Sequence, residues 1–343
     1  GTSTISTCTF ATPQHCTAED KGSMGLSFSK SKRKKDGKKV LNSAFVFVKP
    51  HANTEATREL VKSKLTDAGL TVLSEKDIGG EEIDEKKLID QHYYAIASKA
   101  TILAAKDIPV PAEKFEEEFG EKWETVLSEE RACNAMDACK AFKCDADKLN
   151  TAWRSSDKIV KFGGGFYCGL VSMEDSDQSP LYVFNAFFMS MRSKFVGADK
   201  SIHCYEVEWD ASKLSWSDFR NKLLGPTDPA EAPAESIRGT ILSRYEELGL
   251  TSTPDNGDNG VHASASPFEG LVEKANWLNR KIEDDTFGKA LVKKGLSVEK
   301  IKEWSVDPRV KLPEGGEGSV FDALEDMDAE ECLQKLAELN SAN

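Results

Sequence analysis

The residues best suited to chemistry lie in a short polar stretch, residues 259–266, with the sequence Asn-Gly-Val-His-Ala-Ser-Ala-Ser. His262 precedes Ser264 by two residues, and Glu273 follows His262 by eleven. A histidine in a Gly/Ser-rich stretch is typical of an exposed nucleophile rather than of core filling. A neutral imidazole can attack through its free ring nitrogen without a separate base. The stretch therefore predicts nucleophilic catalysis at His262.

Upstream segments offer the groups that would bind an anion beside such a nucleophile. Lys49-Pro50 ends the apolar run Phe-Val-Phe-Val, Thr227 begins Thr-Asp-Pro, and Arg238 lies within Ile-Arg-Gly. Phosphoryl transfer requires positive charge on the equatorial oxygens of the moving group. Each feature alone is common, and a lone histidine is more often structural, so the inference depends on the order and spacing in which the features occur together.

In this order and spacing, the features resemble the active site of the nucleoside diphosphate kinase family. The resemblance covers residues 41–98 and 200–281. It implies that His262 becomes phosphohistidine while the terminal phosphate of a nucleoside triphosphate, such as ATP, passes to a nucleoside diphosphate. It also implies Mg²⁺ as cofactor, held mainly by the nucleotide phosphates, as is common for this ion.

The resemblance assigns phosphate contacts to particular residues. Lys49 and Arg238 would hold the transferring phosphate, and Thr227 would contact the phosphates beside them. The family's first phosphate arginine would fall on Asn221, and Arg220 is the adjacent residue. One residue on a helix is about 100° of rotation, so Arg220 replaces the missing charge only if the local register shifts.

The remaining assignments surround the nucleophile. Asn259 would bind the sugar hydroxyl, and Tyr93, in Gln-His-Tyr, would lie near the transferred group. Glu273 would orient His262, and Ser264 would be the neighbouring hydroxyl.

The sequence departs from the family on both sides of His262. Ala263 and Ala265 stand where the family usually has Gly and Asp, and the loop before His262 is lengthened by residues 245–260. In the family this loop helps build the oligomer. The resemblance thus implies a homo-oligomer, while the added segment argues against a hexamer.

The order of predicted elements indicates an α+β fold. A β-α-β-α series, then β-α-loop-β-α after an interruption, suits helices packed on an antiparallel sheet. The resemblance supplies the ferredoxin-like topology. We expect four regions: a disordered basic arm at 1–40, a nucleoside diphosphate kinase-like domain at 41–98 and 200–281, an α/β insert at 99–199, and a helical acidic C-terminal extension at 282–343.

Hydrophobic periodicity predicts the elements within these regions. We expect strands at 44–48, 70–73 and 203–209, helices at 54–69, 84–97, 216–224 and 267–277, and a final amphipathic helix at 320–339. The glycine cluster 163–165 lacks the spacing of a phosphate-binding loop and predicts a tight turn between strands.

Composition excludes several classes of protein. The chain has 343 residues, 39% hydrophobic and 30% charged, as in soluble globular proteins. A net charge of −13 and the lack of basic-aromatic interleaving argue against a nucleic-acid binder. The eight cysteines show no zinc-site spacing and predict free thiols in a reducing compartment, hence a cytoplasmic protein.

The N-terminal arm contains one candidate for lipidation. Met24-Gly25 begins a Met-Gly-Leu-Ser-Phe-Ser sequence that fits the myristoylation signature and runs into the basic residues 30–35. If translation starts at Met24, acylation of Gly25 and the basic run would together tether the protein to a membrane through residues 25–39. The alternative is a disordered basic tail after a chance Met-Gly.

Two functions follow from the sequence. The first is a nucleoside diphosphate kinase acting through His262. The alternative is a nucleotide-binding scaffold with impaired turnover, which would engage a protein partner through the insert and the acidic tail. The nucleotide preference and the partner of the insert stay open.

Overall fold

A computed structural model describes residues 40–343. Gly25 and the basic arm lie outside the described residues, so the predictions made for them stay predictions. No helix of residues 40–343 is both long and apolar enough to span a bilayer.

The described chain alternates short strands and helices. Its strands are β1 (Asn42–Val48), β2 (Thr71–Gly79), β3 (Ala132–Asn134), β4 (Ile159–Gly163), β5 (Phe166–Val171), β6 (Leu181–Phe184), β7 (Ser201–Trp209), β8 (Val261–Ala263), β9 (Arg309–Lys311) and β10 (Glu317–Ser319). Its α-helices are α1 (Glu55–Asp67), α2 (Gly80–Glu85), α3 (Leu88–His92), α4 (Tyr94–Ala97), α5 (Ala112–Phe119), α6 (Trp123–Ser128), α7 (Ala135–Phe142), α8 (Ala146–Arg154), α9 (Phe187–Ser193), α10 (Trp216–Asp218), α11 (Ile237–Ser243), α12 (Pro267–Leu278), α13 (Thr286–Lys293), α14 (Val298–Trp304) and α15 (Ala329–Ala342). Short 3₁₀ turns occupy Pro50–Ala52, Ala105–Asp107, Pro229–Glu231 and Asp322–Leu324, and π-helical turns occupy Ser98–Ile102 and Phe219–Leu224.

An antiparallel sheet with the strand order β2-β7-β1-β8 forms the base of the candidate site. Strand β1 is buried along its whole length because helices cover both faces of the sheet. Ala44, Val46 and Val48 pack with α1 and α11, whereas Phe45 and Phe47 pack towards Trp277 of α12. The antiparallel sheet confirms the predicted α+β class.

Helix α1 forms where its sequence predicts it. The hydroxyl of Thr54 accepts the backbone N–H of Thr57 at 3.2 Å and caps the first turn. Val61 and Leu65 are buried against the sheet, and Gly69 follows the helix with a φ of 85°, which glycine adopts without strain.

Several predicted elements have different bounds. The strand expected at 70–73 continues to Gly79. The helix expected at 84–97 was wrong as a single element, because Lys87 takes a left-handed φ of 53° that separates α2 from α3. The helix expected at 320–339 begins only at Ala329.

A second sheet, with the order β3-β6-β5-β4, lies within residues 132–184. Its strands β3 and β6 are parallel and the other pairs are antiparallel. Tyr182 and Phe184 of β6 face an aromatic cluster with α5 and α6, whereas Leu181 and Val183 face α7, α8 and α9. The glycine cluster lies at the turn between β4 and β5. The domain boundaries proposed from the sequence stay predictions.

The C-terminal helices α13, α14 and α15 pack on the outer side of α12. Phe268 and Leu271 of α12 share one core with Leu291, Trp304 and Leu333. The antiparallel pair β9-β10, which was not predicted from the sequence, lies between α14 and α15. Because α12 also carries Glu273, this packing helps to fix the position of that carboxylate.

Candidate active site

His262 lies in the middle of the short edge strand β8. It pairs with Phe47 of β1, and directly opposed residues project from the same face of a sheet. The two rings stack with centroids 4.8 Å apart. The imidazole is thus held against a buried aromatic wall while 17% of the side chain stays exposed.

The Glu273 carboxylate orients this ring. Nε2 of His262 lies 2.6 Å from Oε1 of Glu273, and the hydroxyl of Ser264 donates to Oε2 at 2.5 Å. Ser264 Oγ in turn accepts the backbone N–H of Phe45 at 2.9 Å. Within residues 40–343 no group hydrogen-bonds to Nδ1 of His262. The spacing of eleven residues therefore places the acid at one ring nitrogen and leaves the other nitrogen unengaged.

A second histidine, His92, completes this cluster and was not singled out from the sequence. Its Nδ1 accepts the indole N–H of Trp277 at 3.3 Å and lies 3.3 Å from Oε1 of Glu273. Its ring packs edge-on against His262, with centroids 4.6 Å apart, and against Tyr93 at the same distance. The signal in the sequence is the position of His92 directly before Tyr93, which the resemblance places near the transferred group.

Burial raises the pKa of Tyr93 to about 12, with the Glu273 charge adding to the shift. Its phenol thus stays protonated near the cluster.

Two cations from distant segments approach His262. Lys49 directly follows β1, and its Nζ donates to the carbonyl of Gly257 at 3.1 Å. The guanidinium of Arg238, on α11, donates to the carbonyls of Val261 and Gly225 at 3.0 and 2.8 Å. Arg238 is thereby fixed beside the backbone that precedes His262.

Arg220 supplies a third cation, and its position depends on an unusual helical turn. Phe219–Leu224 is π-helical, and the N–H of Gly225 reaches back five residues to the carbonyl of Arg220 at 3.0 Å. The side chain of Asn221 is exposed and donates to the Ser217 carbonyl. The local register is therefore shifted, and the arginine rather than the asparagine approaches the site. Such π-turns are frequent at functional sites.

The loop ahead of β8 brings Asn259 to Thr227. The Asn259 amide donates to the backbone carbonyl of Thr227 at 3.0 Å, while its Oδ1 is buried with no hydrogen-bond partner in the described chain. A buried acceptor without a donor is rare and marks a place for a ligand or water. The Thr227 residue is exposed.

The charges around His262 change its ionisation. Burial, followed by the charges of Lys49, Arg238 and Arg220, holds the pKa of His262 well below its usual range. The ring is therefore neutral, as a nucleophile requires. Burial and the Arg238 charge lower the pKa of Lys49 to about 7.

The acid beneath the ring is also shifted. Burial raises the pKa of Glu273 to about 8. Burial and the Glu273 charge raise the pKa of the neighbouring Glu269 well above its usual range, so Glu269 is protonated and hydrogen-bonds to Glu273.

The donor set does not form a cage for Mg²⁺. Among residues 40–343, His92, His262 and Glu273 form the one group of three side chains close enough to share an ion. Two imidazoles and one carboxylate suit this hard, oxygen-preferring cation poorly. The 2.6 Å contact between His262 and Glu273 is a hydrogen bond. These side chains are compatible with Mg²⁺ carried by nucleotide phosphates, as the resemblance implies.

Comparison with known proteins found only structural likeness. No protein-family model matches the chain, and neither does any curated protein. The fold is similar to nucleoside diphosphate kinase from Encephalitozoon cuniculi, at 13% identity and a TM-score of 0.35, covering 77% of this chain and 99% of that chain. It is also similar to the Aquifex aeolicus enzyme, at 12% identity and a TM-score of 0.33, covering 69% and 94%. An NDP kinase from Pyrobaculum aerophilum matches at 16% identity and a TM-score of 0.32, covering 69% and 95%.

Proposed function

We propose that the protein is a phosphotransferase that moves the terminal phosphate of a nucleoside triphosphate to a nucleoside diphosphate through His262. One observation carries the proposal: a neutral histidine has one ring nitrogen held by Glu273 and the other unengaged, with three cationic side chains close enough to shift its pKa. Neutral imidazole beside clustered positive charge suits attack on a phosphoryl group.

In the first half-reaction, Nδ1 of His262 attacks the terminal phosphorus of the nucleoside triphosphate. A P–N bond forms, the bond to the bridging oxygen breaks, and the nucleoside diphosphate leaves with that electron pair. The N–H on Nε2 donates to ionised Glu273 and stabilises the positive charge that develops on the ring. A nucleoside diphosphate then takes the phosphoryl group from Nδ1 in the reverse reaction.

Lys49, Arg220 and Arg238 would stabilise the charge spread over the equatorial oxygens of the moving group. Mg²⁺, when bound to the nucleotide phosphates, neutralises part of their charge. Asn259 Oδ1 is the buried acceptor that would receive a sugar hydroxyl, since it has no donor within the described chain.

A nucleotide-binding scaffold is the competing function, and one observation favours it. Lys49, Arg238 and Arg220 each already hydrogen-bond to acceptors of the chain itself. A nucleotide would have to add to these contacts or exchange for them. Binding with slow transfer is the expected behaviour if the exchange is incomplete.

Labelling separates the two functions. The purified protein is incubated with γ-labelled ATP and Mg²⁺, freed of nucleotide, and tested for an acid-labile, alkali-stable label, which is then chased with GDP. We expect label on His262 that leaves as GTP. Binding of ATP without label would support the scaffold, and label that persists in the His262→Asn variant would exclude His262 as the nucleophile.

A further inference from the structure

Arg220 meets two carboxylates from the C-terminal segment. Its Nη1 donates to Oε1 of Glu325 at 2.7 Å and to Oδ1 of Asp326 at 2.8 Å. Within the described residues, its Nε and Nη2 have no hydrogen-bond partner. A guanidinium carries five N–H donors in a rigid fork, so one edge is held while the other edge remains open.

The segment that carries these acids is fixed to the scaffold of the candidate site. The backbone N–H of Asp326 donates to the carbonyl of Ala265, three residues after His262, at 3.0 Å. Two residues later, Oδ1 of Asp328 accepts the backbone N–H of Trp216 at 2.8 Å and the side-chain amide of Asn42 at 2.7 Å. The segment thus ties together the start of β1, the loop after β8 and the helix that leads to Arg220.

The backbone conformation of Asp326 indicates that its contact with Arg220 is specific. Asp326 has a φ of 61°, in the left-handed region that non-glycine residues rarely adopt. Such conformations persist where the surrounding structure fixes them, and they cluster at ligand clamps. The bond to Ala265 and the ion pair with Arg220 are the contacts that hold Asp326 in this position.

We propose that Glu325 and Asp326 are positioning residues that hold Arg220 with its Nε–Nη2 edge towards the phosphate at His262. The inference rests on the proposed function. A long side chain on a π-helical turn samples several rotamers unless another group fixes it, and charge-assisted hydrogen bonds provide that fixation. The C-terminal extension is then part of the catalytic scaffold.

The opposite role would be competition, with the carboxylates occupying the place of phosphate oxygens. The geometry argues against it, because both acids share a single nitrogen and leave the bidentate edge of the guanidinium unoccupied. The two roles predict opposite changes in ADP affinity and in the rate of phosphoenzyme formation when the acids are removed.

The test compares two double variants with the same change in charge. Glu325→Gln/Asp326→Asn removes the ion pair, and asparagine tolerates the left-handed backbone. The control, Glu331→Gln/Glu338→Gln, alters acids of α15 that do not contact Arg220. For each protein we would measure ADP affinity and the rate of phosphoenzyme formation at saturating ATP, with and without Arg220→Ala.

We expect the ion-pair variant to lose about tenfold or more in rate, as misplaced groups do, and to bind ADP more weakly. The control should resemble the parent protein. In the Arg220→Ala background, removal of the acids should have no further effect on either quantity, since they act through Arg220.

Faster transfer or tighter ADP binding would show competition and overturn the proposal. An equal loss with and without Arg220 would show a purely structural role and would also overturn it. If the parent protein never forms a phosphoenzyme, the proposed function fails. The dependence of ADP affinity on the two acids and Arg220 still decides the positioning role.

Discussion

The antiparallel sheet β2-β7-β1-β8 and the mixed sheet β3-β6-β5-β4 both bury groups that can ionise. Around the first sheet, the charges of Lys49 and Arg238 add to burial in lowering the pKa of His262, and the Arg238 charge adds to burial in lowering that of Lys49. Around the second sheet, burial is the main cause that raises the pKa of Cys133 to about 12 and holds that of Cys168 well above its usual range.

This difference distinguishes the candidate active site at the first sheet from the hydrophobic core around the second sheet. Buried thiols with raised pKa values are neutral, so they behave as small hydrophobic side chains. Buried charges, in contrast, are retained only when they are paired or serve a reaction. We therefore expect substitutions near the first sheet to change catalysis, and those near the second sheet to change stability alone.

The largest effect is expected from His262→Gln. Glutamine can still hydrogen-bond to Glu273, but it has no ring nitrogen that attacks phosphorus. Loss of a covalent nucleophile typically lowers the rate by about 10⁴-fold or more. Radiolabelling should detect no phosphoenzyme, while circular dichroism and ADP binding should resemble those of the parent protein.

A smaller effect is expected from Glu273→Gln, compared with Glu121→Gln near the second sheet. In the proposed mechanism Glu273 stabilises the developing charge on His262, so its neutralisation should slow phosphoenzyme formation about a hundredfold. Glu121 accepts a hydrogen bond from the hydroxyl of Tyr182 at 2.7 Å and forms an ion pair with Arg131. It has no role in the proposed reaction at His262. If single-turnover assays showed that the two variants form phosphoenzyme equally slowly, the two sheets would not differ in their effect on catalysis.

The pH dependence of transfer should follow Glu273. Below its pKa of about 8 the protonated acid donates to Nε2, which places the ring proton on Nδ1 and blocks attack. Above that pKa the carboxylate accepts from Nε2 and frees Nδ1. At saturating ATP the rate of phosphoenzyme formation should therefore rise as pH passes the pKa that Glu273 has in the nucleotide complex, and the Glu273→Gln variant should lose this rise.

At low ATP the free protein controls the profile. Lys49, with its pKa lowered to about 7, loses its charge before Glu273 ionises at about pH 8, so the second-order rate constant should peak between these two pKa values and fall on the alkaline side. A flat profile under both conditions would contradict the assigned roles of Glu273 and Lys49.

The smallest effect on transfer is expected from Cys168→Ala. Cys168 is fully buried in the core that contains Phe166, Tyr182 and Phe184. Removing its sulfur should lower the free energy of unfolding by about 1 kcal/mol, measured by urea denaturation, and leave phosphoenzyme formation unchanged. A large loss of transfer would show that the second sheet is coupled to the site.

The local part of the site could be predicted from the sequence because short spacings are preserved by regular structure. His262 lies on β8, Ser264 directly follows that strand, and Glu273 lies on the next helix, so their order along the chain indicated their proximity. The strand that ends just before Lys49 and the helix α1 followed likewise from uninterrupted hydrophobic patterns.

The remaining part depends on long-range contacts or irregular backbone. The π-turn that exposes Asn221 and brings Arg220 inward leaves no periodic signal in the sequence. The contact of Arg220 with Asp326 joins residues 106 positions apart. Glu325 and Asp326 of the acidic C-terminal segment contact the candidate phosphate-binding arginine, and the protein partner expected for this segment stays a prediction.

The position of phosphate on the imidazole ring tests the proposed mechanism at its first chemical step. The phosphoenzyme would be formed with ATP, denatured in alkali, and examined by ³¹P and ¹H NMR of the peptide that contains His262. Because Glu273 holds Nε2, phosphate is expected on Nδ1. Phosphate on Nε2, or none on His262 while ATP is bound, would contradict this account.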